Sequence, residues 1–274
     1  MFENILKNIR EKSPIVHCIT NYVTVNDVAN TILASGASPI MADDVEEVED
    51  IVSISNSLVL NIGTLNSRTI DSMIKAGKMA NKIKIPVVLD PVGMGASKLR
   101  TETTLKLLKE VKFSVIRGNA SEIKSLVHGS RTSSGVDVSV EDIIDESNIV
   151  DYIEITKELK RIYNGVIAVT GPIDIVTNGE KTYIIRNGQE NMERVTGTGC
   201  MLSGLIGGFV GGNPDSILDS TAAAIATMGL CGEMANERIM REDLGTGSLR
   251  TYLIDYISKI DGKILSGGIK IESR

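Results

Sequence analysis

Short, continuously apolar runs alternate along this chain with longer amphipathic stretches, and that alternation restricts the fold more than any other feature. Ser57-Leu58-Val59-Leu60-Asn61, Pro86-Val87-Val88-Leu89-Asp90, Phe113-Ser114-Val115-Ile116-Arg117 and Val166-Ile167-Ala168-Val169-Thr170 read as strands. Helical patterns stand between them, near 67–82, 98–111, 119–128 and 150–163. A strand with no polar alternation is buried on both faces, which implies a mostly parallel sheet with helices on either side. Residues 173–176 and 181–185 read as an antiparallel hairpin turning at Asn178-Gly179, and so close one edge of that sheet. Beyond residue 200 the pattern is helical throughout, near 200–210, 214–240 and 247–260. Residues 129–151, Gly/Ser-rich and then acidic, read as a surface connection. No internal repeat or long linker interrupts the pattern, so the expectation is one α/β domain over residues 1–274.

Composition narrows the partners. A net charge of −6 argues against nucleic acid and acidic membrane surfaces. With three Phe, six Tyr and no Trp there is little material for base-stacking platforms. Cys18, Cys200 and Cys231 are too few and too scattered for a disulfide framework and fit a reducing compartment. The start of the chain carries charge where a signal peptide needs an apolar core. No apolar run reaches the roughly 20 residues of a membrane span; the nearest, 200–212, is interrupted by five glycines. A soluble cytoplasmic protein is expected.

In open parallel sheets, ligands collect beyond the C-terminal ends of the strands. Asp90, Arg117 and Thr170 each close a strand, offering a carboxylate, a guanidinium and a hydroxyl suited to Mg²⁺, an anionic phosphate and a phosphate oxygen. The same three types also serve as turn carboxylate, surface ion pair and turn hydroxyl. Asn119 and Glu122 lie three apart at a helix start, a spacing that fits either a capping pair or a carboxylate near a metal-bound water. Val195-Thr196-Gly197-Thr198-Gly199-Cys200 is a small-residue turn running into the helix-forming Met201–Ile206. Unpaired amides and the partial positive charge of a helix start suit a phosphoryl group there, with Cys200 beside it; a Gly-rich cap on a core helix is the plainer reading. Asn21 ends an apolar run and offers an amide to a small polar ligand or to its own loop. Met41 ends a short strand, where its sulfur could pack on a ring or simply fill core. No Gly-x-x-x-x-Gly-Lys-Ser/Thr occurs, which excludes a P-loop, and no Gly-x-Gly-x-x-Gly follows a strand, which argues against a dinucleotide oxidoreductase. His17 and His128 share no metal-ligand spacing with the cysteines and read as structural.

Taken in order, Val16–Asn21, Ala34–Met41, Leu89–Ala96, Arg117–Glu122, Ala168–Asp174 and Val195–Cys200 resemble the hydroxyethylthiazole kinases, thiamine-salvage enzymes of the ribokinase-like superfamily. The resemblance implies a three-layer ribokinase-like fold and ATP-dependent phosphorylation of the hydroxyethyl side chain of 4-methyl-5-(2-hydroxyethyl)thiazole. It implies that Met41 and Gly197 contact the thiazole with Asn21 nearby, and that Arg117 and Thr170 hold ATP. Asp90 and Glu122 would hold Mg²⁺, and Thr198 and Gly199 would meet the transferring phosphoryl group. It also implies a homotrimer with active sites between subunits. Cys200 stands where most ribokinase-like sugar kinases place a proton-accepting Asp. A helix start lowers a thiol's pKa while a neighbouring phosphate raises it, so the residue's basicity stays open. A non-catalytic binder on the same fold, a kinase for another small alcohol such as hydroxymethylpyrimidine, and an ATP-dependent hydrate dehydratase of the superfamily are the alternatives.

Overall fold

The computed structural model describes residues 1–131 and 143–274. Among these residues nine strands form one sheet in the order β2-β1-β3-β4-β5-β6-β7-β8-β9. They are β1 (Ile15–Ile19), β2 (Ser38–Ile40), β3 (Ser57–Asn61), β4 (Val87–Asp90), β5 (Val115–Asn119), β6 (Val166–Thr170), β7 (Asp174–Thr177), β8 (Thr182–Ile185) and β9 (Ile271–Ser273). The pairs from β2 through β6 are parallel and the remaining three are antiparallel. β1 is flanked by β2 on one side and β3 on the other, so the strand order reverses there, the kind of point at which doubly wound sheets open a crevice.

Helices cover both faces. α1 (Phe2–Lys12), α2 (Val25–Ser35), α8 (Thr198–Gly212), α9 (Ile217–Arg241), α10 (Thr246–Lys259) and α11 (Gly262–Gly268) share one apolar cluster with the sheet. α3 (Val48–Ser53), α4 (Ser67–Ile83), α5 (Lys98–Glu110), α6 (Ala120–Arg131) and α7 (Ile149–Tyr163) supply the second face. The period-two geometry of a strand sorts its side chains between these layers: in β3, Val59 joins the first cluster and Leu58 and Leu60 the second. Each fully buried Leu or Ile of this kind contributes roughly 1.5–3 kcal/mol by burial.

The hairpin forms as expected, with Asn178 Oδ1 accepting from the amides of Glu180 and Lys181 and Gly179 at φ 92°. Two expectations need correction. The chain after residue 200 is not wholly helical, because β9 pairs with β8 and extends the antiparallel edge; three residues are too short to carry a readable alternation. β5 runs to Asn119 rather than ending at Arg117, because Gly118 and Asn119 continue the ladder opposite Val169 and Thr170. Of the expected connection over 129–151, residues 132–142 lie outside the described residues, while 149–151 open α7. His17 sits in β1 with Nε2 2.7 Å from the Ala42 carbonyl, a structural contact. No described helix is long and apolar enough to cross a membrane.

Candidate active site

The C-terminal ends of β3 and β4 lie side by side, with Asn61 opposite Asp90 in the ladder. Asp90 is fully buried, and its Oδ2 accepts from Asn61 Nδ2 at 2.7 Å and Ser203 Oγ at 2.8 Å. Its Oδ1 has no hydrogen-bond partner and stands 3.6 Å from Arg117 Nη1. Burial lifts this carboxyl from its ordinary 3.8 to about 6; Arg117 opposes that rise, the Glu122 charge adds to it, and the bonds from Ser203 and Asn61 hold it down.

Arg117 reaches across from β5. Its Nη2 donates to Thr170 Oγ1 at 2.6 Å, joining the ends of β5 and β6. The guanidinium lies against the opening turn of α8, where a Cβ on Gly199 would come within 2.8 Å of Nη1. Beside it opens a cavity of about 770 Å³ bordered by Arg117, Thr170, Thr198, Gly199, Leu202 and Met228, among others, within the range of small-molecule sites. A shallower hollow of about 260 Å³ lies at Pro86 and Lys112, near the opposite ends of the strands, away from all of these groups.

Glu122 opens α6 as half of a capping box. Asn119 Oδ1 accepts from the Glu122 amide at 2.9 Å, and the Asn119 amide donates to Glu122 Oε2 at 2.8 Å. The other oxygen, Oε1, accepts from the Gly93 amide at 2.8 Å and so fixes the loop that follows Asp90. Capping and proximity to Asp90 are therefore one arrangement rather than competing readings. For a hard divalent cation the donor set fits: Asp90 Oδ1 is a buried oxygen with its lone pairs free, and Glu122 keeps one lone-pair direction on each oxygen. Mg²⁺ takes one or two carboxylates and draws its other ligands from phosphates and water, a demand that this pair of carboxylates meets.

Gly197 caps α8 at φ 88°, a left-handed conformation that glycine adopts at low cost. A Cβ there would lie 2.4 Å from Thr24 Cγ2, so the loop after β1 closes directly on this turn. Cys200, three residues on and partly buried, places Sγ 3.1 Å from Asn21 Nδ2 and 3.3 Å from Asn61 Nδ2. Burial and the Asp90 charge push its thiol above the ordinary range; contacts from Thr24, Asn61 and Asn21 pull the other way and do not prevail. Taken together these influences raise the thiol's pKa in the free protein, a direction that favours its protonated form.

Asp90, Arg117, Glu122, Thr170 and the 197–200 turn converge on one rim, with Asn21 joined to Cys200. Met41 follows the edge strand β2 and packs against the same apolar cluster as Cys200, with no hydrogen bond or ion pair tying it to the polar group. Sequence reasoning missed Asn61, Ser203, Thr24, Asp174 and Arg100. Asp174 borders the cavity and is buried, its Oδ1 accepting from the Gly171 amide at 3.0 Å. Burial raises its carboxyl to about 7, against the pull of the Gly171 amide and Arg117. Arg100, from α5, donates to the carbonyls of Ile62 at 3.1 Å, Gly63 at 2.6 Å and Val92.

Known proteins resemble this chain in sequence and in fold. The family model described as the hydroxyethylthiazole kinase family matches residues 6–263. A hydroxyethylthiazole kinase of Clostridium acetobutylicum is 52% identical over 273 residues, covering 100% of both chains. The solved structure of a hydroxyethylthiazole kinase protein from Pyrococcus horikoshii superposes with a TM-score of 0.89 at 36% identity, over 100% of this chain and 98% of that one. A ribokinase-like superfamily protein from Enterococcus faecalis, 13% identical with a TM-score of 0.59, covers 92% of this chain and 89% of its own and shares the fold. With its whole length matched in sequence and in shape, this chain belongs to the hydroxyethylthiazole kinase family.

Proposed function

We propose that this chain transfers the γ-phosphoryl group of ATP to the hydroxyethyl oxygen of 4-methyl-5-(2-hydroxyethyl)thiazole, a step of thiamine biosynthesis or salvage, in the cytoplasm. The observation that carries this reading is the meeting of Asp90, Arg117, Thr170 and the glycine-capped start of α8 beside a cavity of about 770 Å³, in a member of this family.

ATP occupies that cavity, with Arg117 and Thr170 on its phosphates. The amides of Thr198 and Gly199 face the transferring group, where a helix start favours negative charge. The thiazole lies on the Thr24 side of Gly197, with Met41 against its ring. Asp90 directly and Glu122 through water would hold Mg²⁺, which supplies charge neutralisation on the phosphate oxygens. In the transfer the alcohol oxygen forms a bond to the γ-phosphorus, and the bond to the bridging oxygen of ADP breaks, its electron pair staying with ADP. The alcohol proton passes to Cys200 Sγ in its thiolate form. A thiol held above its ordinary pKa offers little thiolate at neutral pH, so the step relies mainly on positioning and charge stabilisation.

The assembly we propose is a homotrimer with the active site between subunits. Tyr22 and Val23, 77% and 61% exposed beside Asn21, are apolar side chains that a neighbouring subunit would cover.

The test is incubation with ATP, Mg²⁺ and the thiazole alcohol, following ADP and the phosphorylated alcohol together, with hydroxymethylpyrimidine in parallel. Stoichiometric thiazole phosphate is the expected result. Faster turnover of the pyrimidine, or no ADP from either alcohol, would overturn the reading. Light scattering on the purified protein tests the trimer.

A further inference from the structure

The two asparagines beside Cys200 cannot be rotated to exchange oxygen for nitrogen. Asn61 Oδ1 accepts from the Gly63 backbone amide at 2.9 Å, and Asn21 Oδ1 accepts from the Thr24 backbone amide at 3.1 Å. A backbone N–H only donates, so each contact fixes its amide with the oxygen toward the loop and the NH₂ group away from it. Both NH₂ groups then face the sulfur, at 3.1 and 3.3 Å. The remaining capacity is used as well: Asn21 Nδ2 also donates to Asn61 Oδ1 at 3.1 Å, and Asn61 Nδ2 to Asp90 Oδ2 at 2.7 Å.

We propose that Asn61 and Asn21 are positioning residues that act through Cys200, forming a clamp of two amides that holds Sγ as a hydrogen-bond acceptor for the proton leaving the substrate hydroxyl. The inference rests on the proton-accepting role given to Cys200 above. Its physical basis is that an amide NH₂ has nothing to offer a sulfhydryl proton and two donors to offer a lone pair, and a donor to an ionised acceptor is about twice as strong as one to a neutral group. The fold builds the clamp from register. Asn61 and Asp90 are neighbours across β3 and β4, and Cys200 and Ser203 are one helical turn apart on α8. Two strand ends therefore meet two helix positions, Asn61 serving the sulfur and Ser203 the carboxylate. Asn21, 4% exposed with its amide engaged on every side, serves the sulfur rather than the ring.

The test uses the full chain in three forms: wild type, Asn21→Asp, which keeps the acceptor for the Thr24 amide, and Asn21→Leu, which is free of charge and similar in volume. Iodoacetamide labelling at one mildly alkaline pH is followed on the Cys200 peptide by mass spectrometry, with buried Cys18 and Cys231 as internal references. Labelling of Cys200 is expected to slow about tenfold in Asn21→Leu and further in Asn21→Asp, an effect worth about 1.4 kcal/mol. In parallel, kcat is expected to fall while KM for ATP and for the alcohol stays within about twofold. Cys200 labelling at the wild-type rate in both folded variants would overturn the clamp, as would a loss confined to KM for the alcohol. Because labelling is read without turnover, it decides the clamp even if the wild type phosphorylates no thiazole, a result that would instead remove the proposed function.

Discussion

Arg117 donates to Thr170 Oγ1 at 2.6 Å, and this one bond joins the ends of β5 and β6 at the mouth of the large cavity. Replacing the guanidinium by Arg117→Ala leaves the hydroxyl without its donor and the buried Asp90 without its counter-charge. We expect KM for ATP to rise about 10- to 100-fold, the equivalent of one charge-assisted contact of roughly 1.5–3 kcal/mol. Arg117→Lys should recover only part of this, since an ammonium cannot face Thr170 and Asp90 together in one plane. Steady-state kinetics at varied ATP decides it; an unchanged KM would remove Arg117 from the nucleotide.

Gly197→Ala should damage both stability and turnover. The residue sits at φ 88°, and the added methyl would fall 2.4 Å from Thr24 Cγ2. Left-handed strain of about 1–3 kcal/mol together with the displaced Thr24 should lower the Tm by several degrees. Gly188→Ala, also at positive φ but with open space around its Cβ, is the comparison that separates strain from collision. Thermal unfolding of the two variants measures the difference.

We expect Cys200 to govern the pH dependence of the reaction. Its thiol is raised by burial and by Asp90, so the thiolate fraction grows as pH rises toward and beyond the alkaline range. We expect kcat of the wild type to climb between about pH 7 and about pH 9, as for any base used below its pKa. Cys200→Asp should remain active with a flatter profile, because a carboxylate is already ionised there. Cys200→Ala should lose about 10²- to 10⁴-fold. A flat wild-type profile would show that the sulfur takes no proton.

Asp174→Asn should stabilise the protein at alkaline pH and leave it unchanged in acid. The folded carboxyl lies at about 7 against an ordinary 3.8. A raised carboxyl pKa favours the fold below about pH 4, and that advantage is lost as pH rises through about 7. Asparagine keeps the acceptor for the Gly171 amide without the buried charge. The gain above pH 7 is at most about 4 kcal/mol, read as the difference in Tm between the two proteins at pH 8 and its disappearance near pH 4. An equal Tm at pH 8 would show that the ionised carboxylate is already fully compensated.

The strand-end rule, applied to apolar runs, placed Asp90, Arg117 and Thr170 on one rim, and the structure puts them there because continuous apolar strands must be covered on both sides. The same rule pointed to Asn61, which closes β3 just as Asp90 closes β4; an uncharged amide at a strand end carries no obvious chemistry, and it went unread. Ser203 is legible only from the helix, as the position one turn beyond Cys200. Arg100 has no local signal at all. It lies in a stretch with charged residues on several sides, and only the tertiary approach of α5 to two loops gives it a purpose. β9 was hidden for a related reason: a three-residue edge strand is specified by its partner's free ladder rather than by its own pattern.

The grip of Arg100 on the carbonyls of Ile62, Gly63 and Val92 couples the segment beyond Asn61 to the segment beyond Asp90. Loosening that fastener would let the amide beside Cys200 Sγ and the Asp90 carboxylate drift independently. A helix that lines no part of the large cavity therefore sets the registration between the strand ends that carry Asn61 and Asp90.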